Sequence, residues 1–272
     1  MKSIKSLLLI AVAALMLASC GTTSTVPITG RKHTLLVDDA QVLSLSKQQY
    51  NDVLKQSTLS KDAANTAMVK RVGQRLANAV ETYLKANGAE SELKYYEWEF
   101  NLVKSTQVNA FCMPGGKIVV YEGILPVTQD EASLAIVLGH ESAHAVAKHS
   151  AEQMSKQIRQ QYGTQILGSV VGQTLGSNAG SLASSLAQSG FSFANLKFSR
   201  DNETEADKMG LIFAAMAGYD PQKAIVFWQR MASSSSSAGK SDVFSDHPSD
   251  AKRIAALQAA MPEAMKYYKP SK

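Results

Sequence analysis

The sequence predicts an α+β fold, mainly helical, with one small β-sheet or hairpin in the middle of the chain. Three observations carry that reading. Several long segments place apolar residues at a helical period. The stretch Tyr95 to Tyr121 alternates instead and contains the turn Pro114-Gly115-Gly116. The composition, 45% hydrophobic and 19% charged over 272 residues with only 7 Pro, is that of a globular chain with ample material for a core. It excludes a disordered tail, a collagen-like or Pro-rich scaffold and a disulfide framework. The excess of 28 Lys+Arg over 23 Asp+Glu is mild and names no nucleic acid or other polyanion as partner.

The elements follow in order. Lys2 and Lys5 precede an apolar stretch, Leu7 to Ala18, too short to cross a bilayer comfortably. It closes with Leu17-Ala18-Ser19-Cys20 and Gly21, which resembles a bacterial lipoprotein signal. Residues 1–19 are therefore expected to be a signal peptide, Cys20 a lipidated residue, and 20–40 a polar tether holding the chain at a membrane. That leaves Cys112 alone, in an apolar run, as a small buried hydrophobe. Residues 41–265 are read as one domain and 266–272 as a tail.

Within the domain, Gln41 to Thr58 and Asn65 to Gly88 read as helices, the second on Met68, Val72, Leu76, Ala79 and Leu84. Tyr95 to Val103, Val108 to Met113 and Lys117 to Tyr121 read as three strands joined by hairpins. A long helix starts at Glu131 behind the cap Gln129-Asp130 and is expected to run on towards Gln160. Residues 161–195 are rich in Ser, Gly, Ala and Leu, and read as a helical hairpin or a mobile segment. Asn202 to Gly218 and Pro221 to Met231 are helices, 233–239 a Ser-rich linker, and Ser249 to about Ala260 a last helix.

The chemistry lies in His140-Glu141-Ser142-Ala143-His144 on the long helix. Two histidines four apart share one helix face, so both imidazoles can reach one Zn²⁺, and Glu141 stands beside the first to act on water. Two imidazoles and a carboxylate in apolar company need a compensating partner, which a metal supplies. A peptidase site needs a third protein ligand and an open position. On one continuous helix His149 lies five residues beyond His144, and five residues advance a helix by about 500°, which turns it away from the pair. His33 falls in the tether. The remaining candidates are His247 and the acidic cluster holding Glu203 and Asp207, four apart on a second helix.

Four pieces resemble one family. They are Asn109-Ala110-Phe111-Cys112-Met113-Pro114-Gly115-Gly116, His140 to His144, Ser199 to Asp207, and Asp246-His247-Pro248-Ser249 with Arg253-Ile254. Together, over roughly Asn65 to Ile254, they resemble the zinc metallopeptidase family that includes the heat-shock protease HtpX and the CAAX prenyl proteases (family-48 metallopeptidases, gluzincin type), and within it the exported bacterial lipoprotein branch of BepA- and LoiP-type proteases. Cys112 departs from the family's pattern.

The resemblance implies a zincin-like domain with one Zn²⁺ on His140, His144 and Glu203. Asp207 would orient a ligand imidazole, and Asn109, Ala110, Phe111, Gly115 and Gly116 would line the cleft. It implies an endopeptidase for unfolded or misassembled envelope proteins, with Glu141 as base and His247 or Arg253 as donor to the oxyanion. The edge of the Lys117 to Tyr121 region is expected to add a strand to an extended substrate. The location expected is the bacterial cell envelope, at the periplasmic face of the outer membrane. The rival reading is a lipid-anchored chaperone whose zinc site is latent because His247 plugs it.

Overall fold

The structure, a computed structural model, describes residues 22–170, 176–237 and 251–270. Strands β1 (Thr22–Thr25) and β2 (Lys32–Leu35) pair as an antiparallel hairpin. Helices α1 (Asp39–Gln56) and α2 (Ala63–Ala86) follow. Then come β3 (Glu99–Val103), β4 (Ala110–Met113) and β5 (Lys117–Tyr121). The rest is helical: α3 (Glu131–Val146), α4 (His149–Val170), α5 (Gly176–Gln188), α6 (Arg200–Met216), α7 (Lys223–Ser237) and α8 (Ala251–Met265). The mainly helical fold with a small sheet is as expected.

Local chemistry sets the helix starts. Asp38, Asp62, Asp130 and Ser199 each accept a hydrogen bond from the backbone N–H three residues on. At Asp38 and Ser199 the third residue, Gln41 or Asn202, answers back to complete a capping box. Helix α3 is buried from Ser133 to Val146 all the way round, which is why its apolar residues form no single stripe.

The sheet separates two hydrophobic clusters by strand alternation. Phe100, Leu102, Ala110, Cys112, Ile118 and Val120 face the larger one, with α2, α3, α6 and α7. Val103, Phe111, Met113 and Val119 face the smaller one, with Tyr50, Met154, Ile158, Leu186 and Phe193. Met154 and Ile158 of α4 and Leu186 of α5 thus meet in one cluster. No helix among the described residues is long and apolar enough to cross a membrane.

Four local expectations change. The strand order is β3-β5-β4, with β3 parallel to β5, so only β4 and β5 form a hairpin. With both its sides paired, β5 is not an edge, and among the described residues β4 pairs with a strand on one side only. The long helix breaks at Lys148, which sits in the left-handed region with φ 56°, so α3 and α4 are separate helices. The residues read as a tether carry the β1–β2 hairpin, with Val26, Leu35 and Val37 buried. Helix α7 runs on through Ser233–Ser237 where a linker was expected, and the Ser233 hydroxyl donates back to Gln229 O at 3.0 Å.

Candidate metal centre

Two helices carry the site, and glycines let them touch. A Cβ on Gly139 of α3 would lie 2.8 Å from Gly210 O, and one on Gly210 of α6 would lie 2.7 Å from His140 N. Real Cβ atoms do not approach backbone that closely, so the helices cross here because neither position has a side chain. The crossing sets the face of α3 bearing His140 and His144 against the first turns of α6, which carry Glu203 and Asp207.

The donors converge as a zinc site requires. His140 Nε2 and His144 Nε2 are 3.0 Å apart, and each is 3.4 Å from an oxygen of Glu203. One ligand atom from each of the three residues lies within 4.8 Å of the others, and all three side chains are buried. Two ring nitrogens and a carboxylate that converge in this way need a cation between them, which a proton or a metal ion can supply. The opposite ring nitrogens are engaged. His140 Nδ1 is 2.9 Å from Asp207 Oδ1, and His144 Nδ1 is 2.9 Å from His149 Nδ1. An Nδ1–H donated to Asp207 leaves the His140 Nε2 lone pair for a metal. The residues present therefore fit one Zn²⁺ with two N donors and one carboxylate, the open-site set of a catalytic zinc.

The two imidazoles differ in charge environment. Burial pulls His140 down, but the hydrogen bonds to Asp207 and Glu203 outweigh it and raise its pKa to about 9. At His144 burial dominates and holds the ring well below the usual histidine range.

The other residues expected in the site are placed as follows. Asp207 lies behind His140, its Oδ1 2.9 Å from His140 Nδ1. Arg253 on α8 is buried and forked onto Asp207, with Nε to Oδ2 at 2.8 Å and a terminal nitrogen to Oδ1 at 2.7 Å. Its other terminal nitrogen is 3.4 Å from Glu203, and its guanidinium lies 3.5 Å from the centre of the Trp228 ring. A group clamped this way holds carboxylates in place. That differs from the oxyanion donor expected of it, and bidentate ion pairing is the physical reason.

Glu141 is buried on α3. Burial, and after it the Glu141 charge, pushes the Cys112 thiol of β4 up. Asn109, Ala110 and Phe111 lie at or in β4, and Gly115 and Gly116 make its turn at φ 87° and 81°. Gly115 and His144 line one small cavity of about 30 Å³. His247 and Cys20 lie outside the described residues.

Reasoning from the sequence missed His149. The break at Lys148 swings its ring to within hydrogen-bond reach of His144, which one continuous helix does not allow. Phe198, also unanticipated, stacks on the His144 ring at 4.1 Å between centroids and 21° between planes.

Known proteins resemble this chain in sequence. The model of peptidase family M48 matches residues 63–261. The mitochondrial metalloendopeptidase OMA1 of Schizosaccharomyces pombe is 35% identical over 229 residues, covering 80% of this chain and 65% of its own length. The human mitochondrial metalloendopeptidase OMA1 is 32% identical over 248 residues, covering 88% and 46%. The Yersinia pestis beta-barrel assembly-enhancing protease is 28% identical over 204 residues, covering 74% and 39%. The chain thus spans between 39% and 65% of the length of these relatives. The location expected from the sequence is corrected by these matches. The relatives of higher identity are described as mitochondrial and come from eukaryotes, so the bacterial envelope is not retained. Family model and zinc ligands agree, and the chain belongs to peptidase family M48.

Proposed function

We propose that the protein is a zinc metalloendopeptidase that hydrolyses peptide bonds in extended, unfolded or misassembled polypeptides, as a protein quality-control enzyme. The observation that carries this is the convergence of His140 Nε2, His144 Nε2 and Glu203 within 4.8 Å of one another, with the buried Glu141 next to His140 in the chain on α3. Zinc held there would supply Lewis acidity to the scissile carbonyl and make water acidic enough to attack at neutral pH. Glu141 takes the proton from the attacking water on its carboxylate and delivers it to the leaving amine. Asp207, held by Arg253, keeps the His140 ring turned so that Nε2 faces the site.

The preference for extended chains rests on β4. Tyr121 N–H bonds Asn109 O at 3.0 Å, so positions 109, 111 and 113 pair with β5. The N–H and C=O groups of Ala110 and Cys112 then point away from β5, along the edge that pairs with no described strand. A peptide added there as a strand would lie alongside α3, its main chain held without regard to sequence. A folded protein offers an unpaired strand only where a sheet ends in an open edge. The sequence resemblance assigns His247 to the oxyanion or to a plug on the metal. Acylation at Cys20, supported by the Leu17 to Cys20 motif, would attach the chain to a lipid surface.

The test pairs zinc content with casein hydrolysis. Glu141→Gln should hold zinc after dialysis and lose roughly 10²–10⁴-fold in kcat, the usual worth of a general base. Chelator should abolish hydrolysis by the wild type. Full turnover in Glu141→Gln sinks the assignment of the base, and hydrolysis that survives chelation sinks the zinc reading.

A further inference from the structure

A second chain of polar groups lies behind His144, at the ring nitrogen that does not face Glu203. His149 Nδ1 is 2.9 Å from His144 Nδ1, and His149 Nε2 is 2.9 Å from Glu205 Oε2. Arg31 Nε donates to the same Glu205 oxygen at 2.7 Å, and the Thr29 hydroxyl donates to the other. The terminal nitrogens of Arg31 fork onto Glu152 at 3.0 and 2.9 Å. His144, His149 and Glu205 are all buried. Thr29 and Arg31 come from the turn of the β1–β2 hairpin, which Val26 N to Arg31 O and Gly30 N to Val26 O close at 2.8 and 3.0 Å.

Donor and acceptor logic runs one way along this chain. An ionised Glu205 only accepts, so His149 Nε2 carries the hydrogen. Neutral His149 then has its lone pair at Nδ1. That lone pair accepts from His144 Nδ1–H, and His144 is left with its lone pair at Nε2, aimed at Glu203 and His140. Reversing any link puts two hydrogens or two lone pairs face to face. At His140 one carboxylate does this job directly. At His144 the carboxylate is one imidazole further out, and its oxygen is fixed by a residue from the start of the described chain.

The geometry points to an outer relay, Arg31–Glu205–His149, that fixes His144 as a metal ligand and makes the N-terminal hairpin part of the zinc centre. His149, Glu205 and Arg31 are positioning residues and touch neither metal nor substrate. The relay rests on His144 being a zinc ligand. It assigns a task to His149, to Glu205 and to a segment whose sequence reads as a polar tether.

The test is zinc affinity by competition with a chromophoric chelator, together with the visible spectrum of the Co²⁺-loaded protein, neither of which needs catalysis. His149→Phe should weaken zinc by about 10–100-fold, the usual cost of losing a partner behind a ligand, and should alter the Co²⁺ bands. His149→Gln should restore both, because its amide oxygen accepts from His144 and its NH₂ donates to Glu205. Arg31→Met should weaken zinc in the same direction and by less. Thermal melting confirms folding for each variant. If His149→Phe does not fold, Arg31→Met decides, since that side chain is one-third exposed. A folded His149→Phe or Arg31→Met with wild-type affinity and spectrum overturns the relay and leaves the zinc site standing. A wild-type protein that binds neither metal overturns the zinc site itself.

Discussion

The two ligand histidines sit four residues apart on one helix and both lean on carboxylates of α6, yet the arginines that hold those carboxylates come from opposite ends of the described residues. His140 is fixed from the C-terminal side, by Asp207 on α6 and Arg253 on α8. His144 is backed by His149, just past the helix break, and through it by Glu205 of α6, which Arg31 of the N-terminal hairpin holds. The first support is short, buried and bidentate. The second is longer, and its outermost member is a third exposed. The lesson is that one zinc site can be rigid on one flank and dependent on a docked surface segment on the other.

The largest effect should come from the residue both flanks share. Glu203 presents one oxygen to each Nε2. Glu203→Ala should cost more zinc affinity than any outer partner, hence more than the roughly 10–100-fold typical of those, and casein hydrolysis should vanish with the metal. Zinc content after dialysis and hydrolysis on the same sample read this out. A Glu203→Ala protein that retains full zinc would show that the flanks do not meet at this carboxylate.

The next comparison sets Arg253 against Arg31. Both are arginines on carboxylates, but Arg253 is 7% exposed and Arg31 is not buried. Arg253→Met takes the bidentate partner from the buried Asp207 charge and leaves only the His140 Nδ1–H facing it, a loss that typically costs about 3–5 kcal/mol. Arg31→Met leaves the buried Glu205 with hydrogen bonds from His149 and Thr29, and removes a side chain that is itself one-third exposed, so it should cost clearly less. Denaturant unfolding of both variants gives the order. Equal losses would erase the distinction between a rigid flank and a docked one.

A smaller effect is expected where the flanks are brought together. Gly210→Ala places a methyl 2.7 Å from His140 N and 2.9 Å from Gly139 C. Backbone cannot step aside as a side chain can, so α3 and α6 must separate. Overpacking of this kind costs about 1–3 kcal/mol. Both flanks should loosen together, so zinc affinity should fall along with the melting temperature. A stable variant with unchanged affinity would mean that the crossing does not set the ligand spacing.

The two flanks also differ in how far they can be read from the residues alone. The His140 flank lies in spacings: His140 and His144 four apart, Glu203 and Asp207 four apart, each pair on one helix face. Arg253 was noticed as well, though its role was not, because its partners lie 46 and 50 positions away. The His144 flank depends on Lys148 at φ 56°. Helices that end in this conformation usually signal it with Gly or Asn, and here the sequence offers Lys. Without that signal the helix reads as continuous and His149 points away. Segment 22–35 is short and polar, so its alternation resembles a linker until Arg31 and Thr29 find Glu205. The sheet order was hidden for a related reason. Alternation locates strands, but the parallel pairing of β3 with β5 is a non-local choice made by the two cores on either side.

The smallest and most specific expectation is a pH effect confined to the His144 flank. Burial alone would raise the Glu205 carboxyl, but hydrogen bonds from His149, Thr29 and Arg31 outweigh it and hold its pKa at about 2, against an ordinary 4.5. A carboxyl whose folded pKa is depressed contributes stability that is fully present above its unfolded value. That contribution is lost as the pH falls from about 4.5 towards 2. Glu205→Gln removes the titrating group, so unfolding free energy should fall less steeply across that window than in the wild type. Arg31→Met should flatten the slope part of the way, since it removes one of the bonds that depress the pKa. The comparison is made with chelator present, because release of zinc on acidification would add a slope of its own. Asp207 is also held below its usual range, chiefly by Arg253 and His140 once burial is offset. The His140 flank therefore supplies an acid slope that both variants retain. Parallel curves for wild type and Glu205→Gln between pH 5 and 2 would show that the hairpin does not hold Glu205 in its ionised form, and the docked flank would lose its electrostatic basis.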